Sequence, residues 1–272
     1  MTEEPTNPRE ASSHGDATAD LARALVANQF FLVYQPMIDL RTNAFVGVEA
    51  LIRWRHPTRG VLGPGDFLDE LEESGQIVAV GRWALITACA QGARWHAKGY
   101  RFTVSVNVSR AQLARPEFVD DVAIALASSR FDPEQLILEF SQRALEDGAT
   151  DRERLDQLSS LGVHLAVDDV EPGTPLDQLR DFPIDTVKID RDFIAAIADS
   201  EEAASLMRSL VERARSLGVR VIASGIEDAE QRRRLQFEQV STGQGFHFSA
   251  PHEAAEIDRL LRDFAIFSGR PL

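Results

Sequence analysis

Five acidic or amide side chains fall where successive β-branched or apolar runs of this chain come to an end: Glu49, Asn107, Glu139 and the adjacent Asp168 and Asp169. Hard oxygen donors gathered from different strands make a site for Mg²⁺ or Mn²⁺, ions that prefer carboxylate, carbonyl and water ligands. Lys188 stands on a later run of the same kind, and Gln244 on one later still. Two cations about 4 Å apart, bridged by the first of the paired aspartates, clamp a phosphodiester and activate a water for in-line attack. A lysine facing them orients that water or neutralises the charge on the phosphorus centre. The chemistry these residues point to is cleavage of a phosphoester.

Such residues act together only if separate elements deliver them to one place. Strands are expected at Phe30–Ile38, Val46–Trp54, Phe102–Val108, Leu136–Ser141, Val163–Val170, Thr186–Asp190, Val219–Ala223 and Val240–Phe246. Several are continuous apolar runs, the mark of strands covered on both faces. Helical patterns lie between them. Trp83, Ile86, Ala90 and Ala93 share one face of a helix that stops at Gly99, and Leu206, Leu210, Ala214 and Leu217 do the same before Gly218. Eight strands with interposed helices point to a (β/α)₈ barrel, whose function sits at the C-terminal ends of its strands. The other arrangement considered is an open doubly wound sheet, but no glycine-rich phosphate loop follows the first strand. Neighbouring residues of a strand face opposite ways, so Asp168 and Asp169 share a cavity only if their strand has ended.

The remaining bounds are those of composition. A chain of 272 residues with 44% hydrophobic content can bury the core of one large domain. Its formal charge of −14 argues against DNA, RNA or an anionic membrane as partner. A small anionic nucleotide remains compatible, because bound cations invert the local field. The single cysteine, Cys89, excludes an internal disulfide and reads as a core residue. No run is long and apolar enough to span a bilayer and no signal peptide is evident, so a soluble cytoplasmic domain is expected. Residues 1–19 read as a disordered polar tail, 20–265 as the barrel, and 266–272 as a second tail.

Several blocks, in order, resemble the EAL family of cyclic di-GMP phosphodiesterases. They are Gln35-Pro36, Glu49-Ala50-Leu51-Ile52-Arg53-Trp54, Asn107-Val108-Ser109, Asp168-Asp169, Val187-Lys188-Ile189-Asp190, and Gln244-Gly245-Phe246 leading to Pro251. The resemblance implies a modified barrel whose first strand runs opposite to the others. It implies one metal held by Glu49, Asn107, Glu139 and Asp168, and a second to which Asp168 and Asp169 contribute. Lys188 and Gln244 would flank the attacking water and the metals. Gln35, Leu51, Arg53, Asp190, Glu227 and Phe246 would contact the nucleotide.

Three departures accompany these matches. Where the family has a second-metal glutamate in an Ala-Glu-Gly-Val-Glu block, this chain reads Ala223-Ser224-Gly225-Ile226-Glu227. A hydroxyl is neutral, shorter, and no useful base near neutral pH. The family glutamate that anchors the loop after the paired aspartates is Gln142 here, which keeps hydrogen-bonding capacity without charge. That loop reads Val170-Glu171-Pro172-Gly173-Thr174-Pro175, its two prolines fixing φ and removing two amide donors. In the family the same loop shapes a dimer contact, so a homodimer remains open. Glu171 is one substitute for the missing carboxylate; a water-mediated ligand role for Ser224 is another.

The expectation is therefore a degenerate EAL barrel, impaired in catalysis, that acts through cyclic di-GMP, a protein partner, or both. One Mg²⁺ or Mn²⁺ site is expected to persist and the second to be weakly occupied at best. An active phosphodiesterase giving linear pGpG and a pure protein-interaction module are the alternatives.

Overall fold

The computed structural model describes residues 20–268, apart from Ala22, residues 147–151, Pro172 and Asp199. The expected tail 1–19 lies outside the described residues. The last helix, Ala254–Ser268, runs through the expected start of the second tail, and 269–272 again lie outside.

Nine strands make one sheet: β1 Phe30–Asp39, β2 Phe45–His56, β3 Gly60–Leu62, β4 Thr103–Asn107, β5 Leu136–Ser141, β6 His164–Val170, β7 Thr186–Ile189, β8 Arg220–Ala223 and β9 Thr242–Gly243. From β2 through β4 to β9 each neighbour pairs in parallel, with helices in most of the crossovers. β1 pairs antiparallel with both β2 and β9, which closes eight strands into a barrel. The barrel and its reversed first strand are as the residues and the resemblance suggested. β3, a short antiparallel flap on β2, was not anticipated.

Alternation divides the strand residues into two shells. Leu136, Leu138, Val104, Val106, Leu165 and Val187 face outward into the main core beneath the helices. Their neighbours line the barrel interior, where Gly47 leaves room that a Cβ would take from Met37 and Thr103, at 2.6 and 2.5 Å. A second cluster of Leu21, Phe30, Trp54, Leu62, Phe67 and Leu71 sits under the β2–β3 flap. It seats the helix Leu68–Glu73 beside the mouth of the barrel.

Both anticipated helices form, but their most buried residues are only partly the expected ones. The helix Ile77–Ala97 buries Val80, Leu85, Ala88, Cys89 and Trp95, while Trp83, Ile86, Ala90 and Ala93 are only half-buried. It is apolar almost all round because it packs on β4 and on the helix Phe118–Ser129, so the apolar pattern alone did not single out its inner face. In Glu201–Leu217 the buried seam is Ala203, Met207, Leu210, Val211 and Ala214, and Leu206 is exposed. Gly218 ends that helix at φ +76, the left-handed cap expected of it. Cys89 is a core residue as expected, its thiol pushed up to about 12 by burial.

The C-terminal helix is tied to the barrel wall by one acceptor. Asp258 accepts from the buried Trp95 Nε1 at 3.0 Å and from Lys98 Nζ at 2.6 Å, while Trp95 packs edge-on to Tyr34 of β1. Replacing Asp258 with Ala strands a buried indole donor, and we expect a loss of about 1–3 kcal/mol in denaturant unfolding. Asp258→Asn keeps an acceptor oxygen and should recover most of it.

Candidate functional site

The strand ends deliver the expected side chains to the barrel mouth. Asn107 on β4 is in register with Glu139 on β5, and Ser141 at the end of β5 with Asp168 on β6. Across the mouth, Lys188 Nζ donates to Glu139 Oε2 at 2.6 Å and to Asp168 Oδ2 at 3.0 Å, and lies 3.2 Å from Glu49 Oε2. Glu139, Lys188 and Glu49 are buried and Asp168 is partly so. Glu49 Oε1 accepts from Asn107 Nδ2 at 2.8 Å, and its other oxygen accepts from Gln244 Nε2. Gln244 Nε2 also reaches Gln35 Oε1 at 3.3 Å.

These residues fit one hard cation. One carboxylate oxygen from each of Glu49, Glu139 and Asp168 lies within 4.8 Å of the others. The second oxygen of Glu139 is buried without a hydrogen-bond partner, a lone pair that an ion or its water would satisfy. With all three carboxylates ionised against one ammonium, the cluster carries a formal charge of −2, which a divalent ion balances. Asn107 joins such a set when its amide turns to present Oδ1 in place of Nδ2.

The paired aspartates reach the mouth by a different device from the one expected. β6 does not end at Asp168 but continues to Val170, with a register irregularity between Val167 and Val170. Asp169 takes φ +56, the left-handed region that Asp tolerates better than most residues, and its N–H bonds Asp168 Oδ1 at 2.9 Å. This bulge turns both carboxylates into the same space. Beside them, Ser224 N still donates to Ile189 O at 3.1 Å, so β8 brings position 224 to the mouth. Its hydroxyl is buried and bonds nothing. A neutral oxygen there fits a second cation poorly.

Two clefts meet at the cradle and share Glu49, Asp168 and Asp169. One is an apolar chamber of about 690 Å³ between β2, β4 and the helix Ile77–Ala97, lined by Leu51, Ile52, Leu68 and Val80. The other is a polar cleft of about 260 Å³ that takes in Gln35, Lys188, Asp190, Ser224, Glu227 and Phe246. Phe246 is 69% exposed on its rim. Asp190 also caps the helix Arg191–Ala196, accepting from Asp192 N at 2.7 Å.

Arg53 lines neither cleft. β2 leaves its parallel partner after Ala50 and continues into the β3 flap, and Arg53 Nη1 donates to Ile52 O at 2.7 Å. Gln142 accepts from Thr174 Oγ1 at 3.2 Å and so holds the loop after β6 without a charge. Glu171 is exposed and outside the polar cleft; Pro172 lies outside the described residues. The expected strand Val240–Phe246 shortens to Thr242–Gly243. Gln244 and Gly245 fold against Ile226, whose N–H bonds Gln244 O at 3.0 Å, and a Cβ on Gly245 would lie 2.1 Å from Ile226 O.

The sequence reading missed Arg191 and Gly225 in the polar cleft. A Cβ on Gly225 would meet Arg191 Cβ at 2.3 Å, so the glycine admits the Arg191 backbone beside Ser224. A glycine directly after a strand-end residue was the available signal. In the chamber wall, Pro64, Leu68 and Val80 were not singled out, having no chemical signature of their own.

Charge in the cradle is tightly coupled. Burial pushes Glu139 up to about 8, with the Glu49 and Asp168 charges adding and Lys188 opposing. Burial would raise Glu49 too, but the Lys188 charge and the hydrogen bonds from Gln244 and Asn107 hold it below the usual range. Burial works against the Lys188 ammonium, yet the three carboxylates keep it well above its ordinary value. Asp169 is raised by burial and by the nearby Asp168 and Asp190.

Comparison with known proteins agrees with this geometry. The family model described as "EAL domain" matches residues 18–251. Bifunctional diguanylate cyclase/cyclic di-GMP phosphodiesterase MucR of Pseudomonas aeruginosa is 35% identical over 241 residues, 88% of this chain and 35% of that protein. Cyclic di-GMP phosphodiesterase PdeR of Escherichia coli is 35% identical over 242 residues, 88% of this chain and 36% of that one. The chain thus spans about a third of the length of these curated relatives. The structure titled "PaMucR Phosphodiesterase, c-di-GMP complex" superposes with a TM-score of 0.83 at 34% identity, covering 89% of this chain and 99% of that one. No helix among the described residues is long and apolar enough to cross a membrane.

Glu139 supplies a pH test. Between the ordinary glutamate value of 4.5 and its folded value of about 8, the folded chain binds more protons at this group than the unfolded chain does. Stability from this group is therefore greatest below that window and falls as pH rises through it. Lys188 stays charged across the window and adds no slope of its own. In EDTA, Glu139→Gln should flatten the decline seen in wild-type melting temperature; an unchanged slope would count against the burial argument.

Proposed function

The chain belongs to the EAL domain family, and we propose that it binds cyclic di-GMP with one divalent cation and cleaves it slowly or not at all. The observation that carries this reading is the pair of clefts meeting at a carboxylate cradle. A cyclic dinucleotide has two bases flanking charged phosphodiesters, and the mouth offers two recesses flanking a site for charge. Gln35, Asp190 and Glu227 would read polar edges, Phe246 would stack on a base, and Leu51 would pack against the ligand in the apolar chamber. Arg53 would have to leave Ile52 O to reach a phosphate.

Glu49, Asn107, Glu139 and Asp168 would hold Mg²⁺ or Mn²⁺, which supplies charge for a phosphodiester oxygen and lowers the pKa of a bound water. Lys188 offers the ammonium nearest the reacting phosphate, and Gln244 orients Glu49. What the chain lacks is a carboxylate at position 224 to complete a second cation site with Asp168 and Asp169. Loss of a positioned proton acceptor removes roughly 10²–10⁴-fold in rate. A module of this kind signals by changing its contacts with a protein partner, or with a second copy, when the nucleotide is bound. An active phosphodiesterase yielding pGpG is the competing reading, favoured by the names of the relatives and by the retained cradle.

Calorimetry with cyclic di-GMP in Ca²⁺, alongside chromatography of products in Mn²⁺, tests the proposal. Binding heat with turnover roughly 10²-fold or more below that of an active EAL domain is expected. Brisk conversion to pGpG would establish the phosphodiesterase instead, and no binding heat in any condition would leave a protein-interaction module. Ser224→Glu should raise turnover without full restoration, because the loop held by Gln142 and Thr174 also departs from the family pattern.

A further inference from the structure

We propose that Lys188 is the resident cation of the cradle: its ammonium holds Glu49, Glu139 and Asp168 together in the absence of a divalent ion, and such an ion binds by taking their oxygens from it. The inference rests on reading the cradle as a cation site.

The geometry is specific to this one side chain. Lys188 is 2% exposed, and its three N–H donors face three carboxylates from three strands, at 2.6, 3.0 and 3.2 Å. Those carboxylates are the same three whose oxygens cluster within 4.8 Å. An ammonium and a divalent ion therefore compete for the same three carboxylates. Without the ammonium, three carboxylates on adjoining strands would face one another in a buried space with no counter-charge, a strongly repulsive arrangement. Just past the end of β8 the neighbouring Ser224 offers only a neutral, unbonded hydroxyl in place of a competing carboxylate. Lys188 also lines the polar cleft, so an ammonium released from the carboxylates faces whatever anion lies there.

The competition makes a prediction opposite to that for a residue that helps hold the ion. Lys188→Met keeps the length of the side chain and removes its charge. Calorimetric titration with Mn²⁺ should show Lys188→Met binding the ion roughly 10-fold or more tighter than wild type. In EDTA the variant should melt roughly 6–20 °C lower, and excess Mn²⁺ should close most of that gap. Equal or weaker Mn²⁺ affinity, with wild type binding measurably, would overturn the inference while leaving the cation site intact. No Mn²⁺ binding to either protein would remove the cation site itself.

If Lys188→Met does not fold in EDTA, the double variant Lys188→Met/Glu139→Gln decides the matter. It removes one carboxylate charge along with the ammonium and leaves an amide on β5, so it should fold in EDTA. Failure of the double variant both with and without Mn²⁺ would show that Lys188 is needed for packing rather than for charge, and would sink the proposal.

Discussion

A buried ammonium encircled by three buried or half-buried carboxylates is the constraint around which this barrel mouth is organised. Charges in so poor a solvent are tolerated only when each has a partner at hydrogen-bond distance, and here the partners come from β2, β5, β6 and β7. The strands cannot slip past one another by a residue without breaking the cluster. Register, barrel closure and site chemistry are thus one problem. Asn107 and Gln244 extend the solution outward by engaging the two oxygens of Glu49, and Gln35 on the reversed strand β1 completes the ring.

The reversed strand matters for the same reason. β1 pairs antiparallel with β2 over most of its length and with β9 over only two residues, Ile38 and Asp39. Past that short seam Gln244 still bonds β8 through its N–H to Ala223 O at 2.9 Å, and Gln244 and Gly245 fold against Ile226. The turn places Gln244 on Glu49 and Phe246 at the rim of the polar cleft. β2 in turn outruns its parallel partner, and its extension with β3 forms the floor on which the apolar chamber rests. The larger cleft lies where β2 outruns its parallel partner β4, and the smaller where β9 gives way to the turn at Gln244.

The departures from the family pattern sort by their physical consequence. At Gln142 a neutral amide accepts from Thr174, so the loop after β6 keeps a tether. At Ser224 the hydroxyl is buried and without a partner, and Glu171 is exposed outside the polar cleft. The cradle offers carboxylates for one cation, and position 224 adds only a neutral oxygen beside Asp168 and Asp169.

Local chemistry and periodicity determined much of this protein by themselves. Apolar runs ending in acids, amides and a lysine marked all eight barrel strands and the members of the cradle, because side-chain period and strand-end position are local properties. Ser224 stood out only against the pattern of the family that the chain resembles. Only the tertiary structure decided that Asp168 and Asp169 share a cavity through a bulge at φ +56, that Arg53 turns back to Ile52, and that the helix Ile77–Ala97 buries most deeply residues other than those its pattern suggested. It alone also joined Lys188 to three carboxylates at once. Each of these depends on which distant backbone lies alongside, and no window of neighbouring residues carries that information.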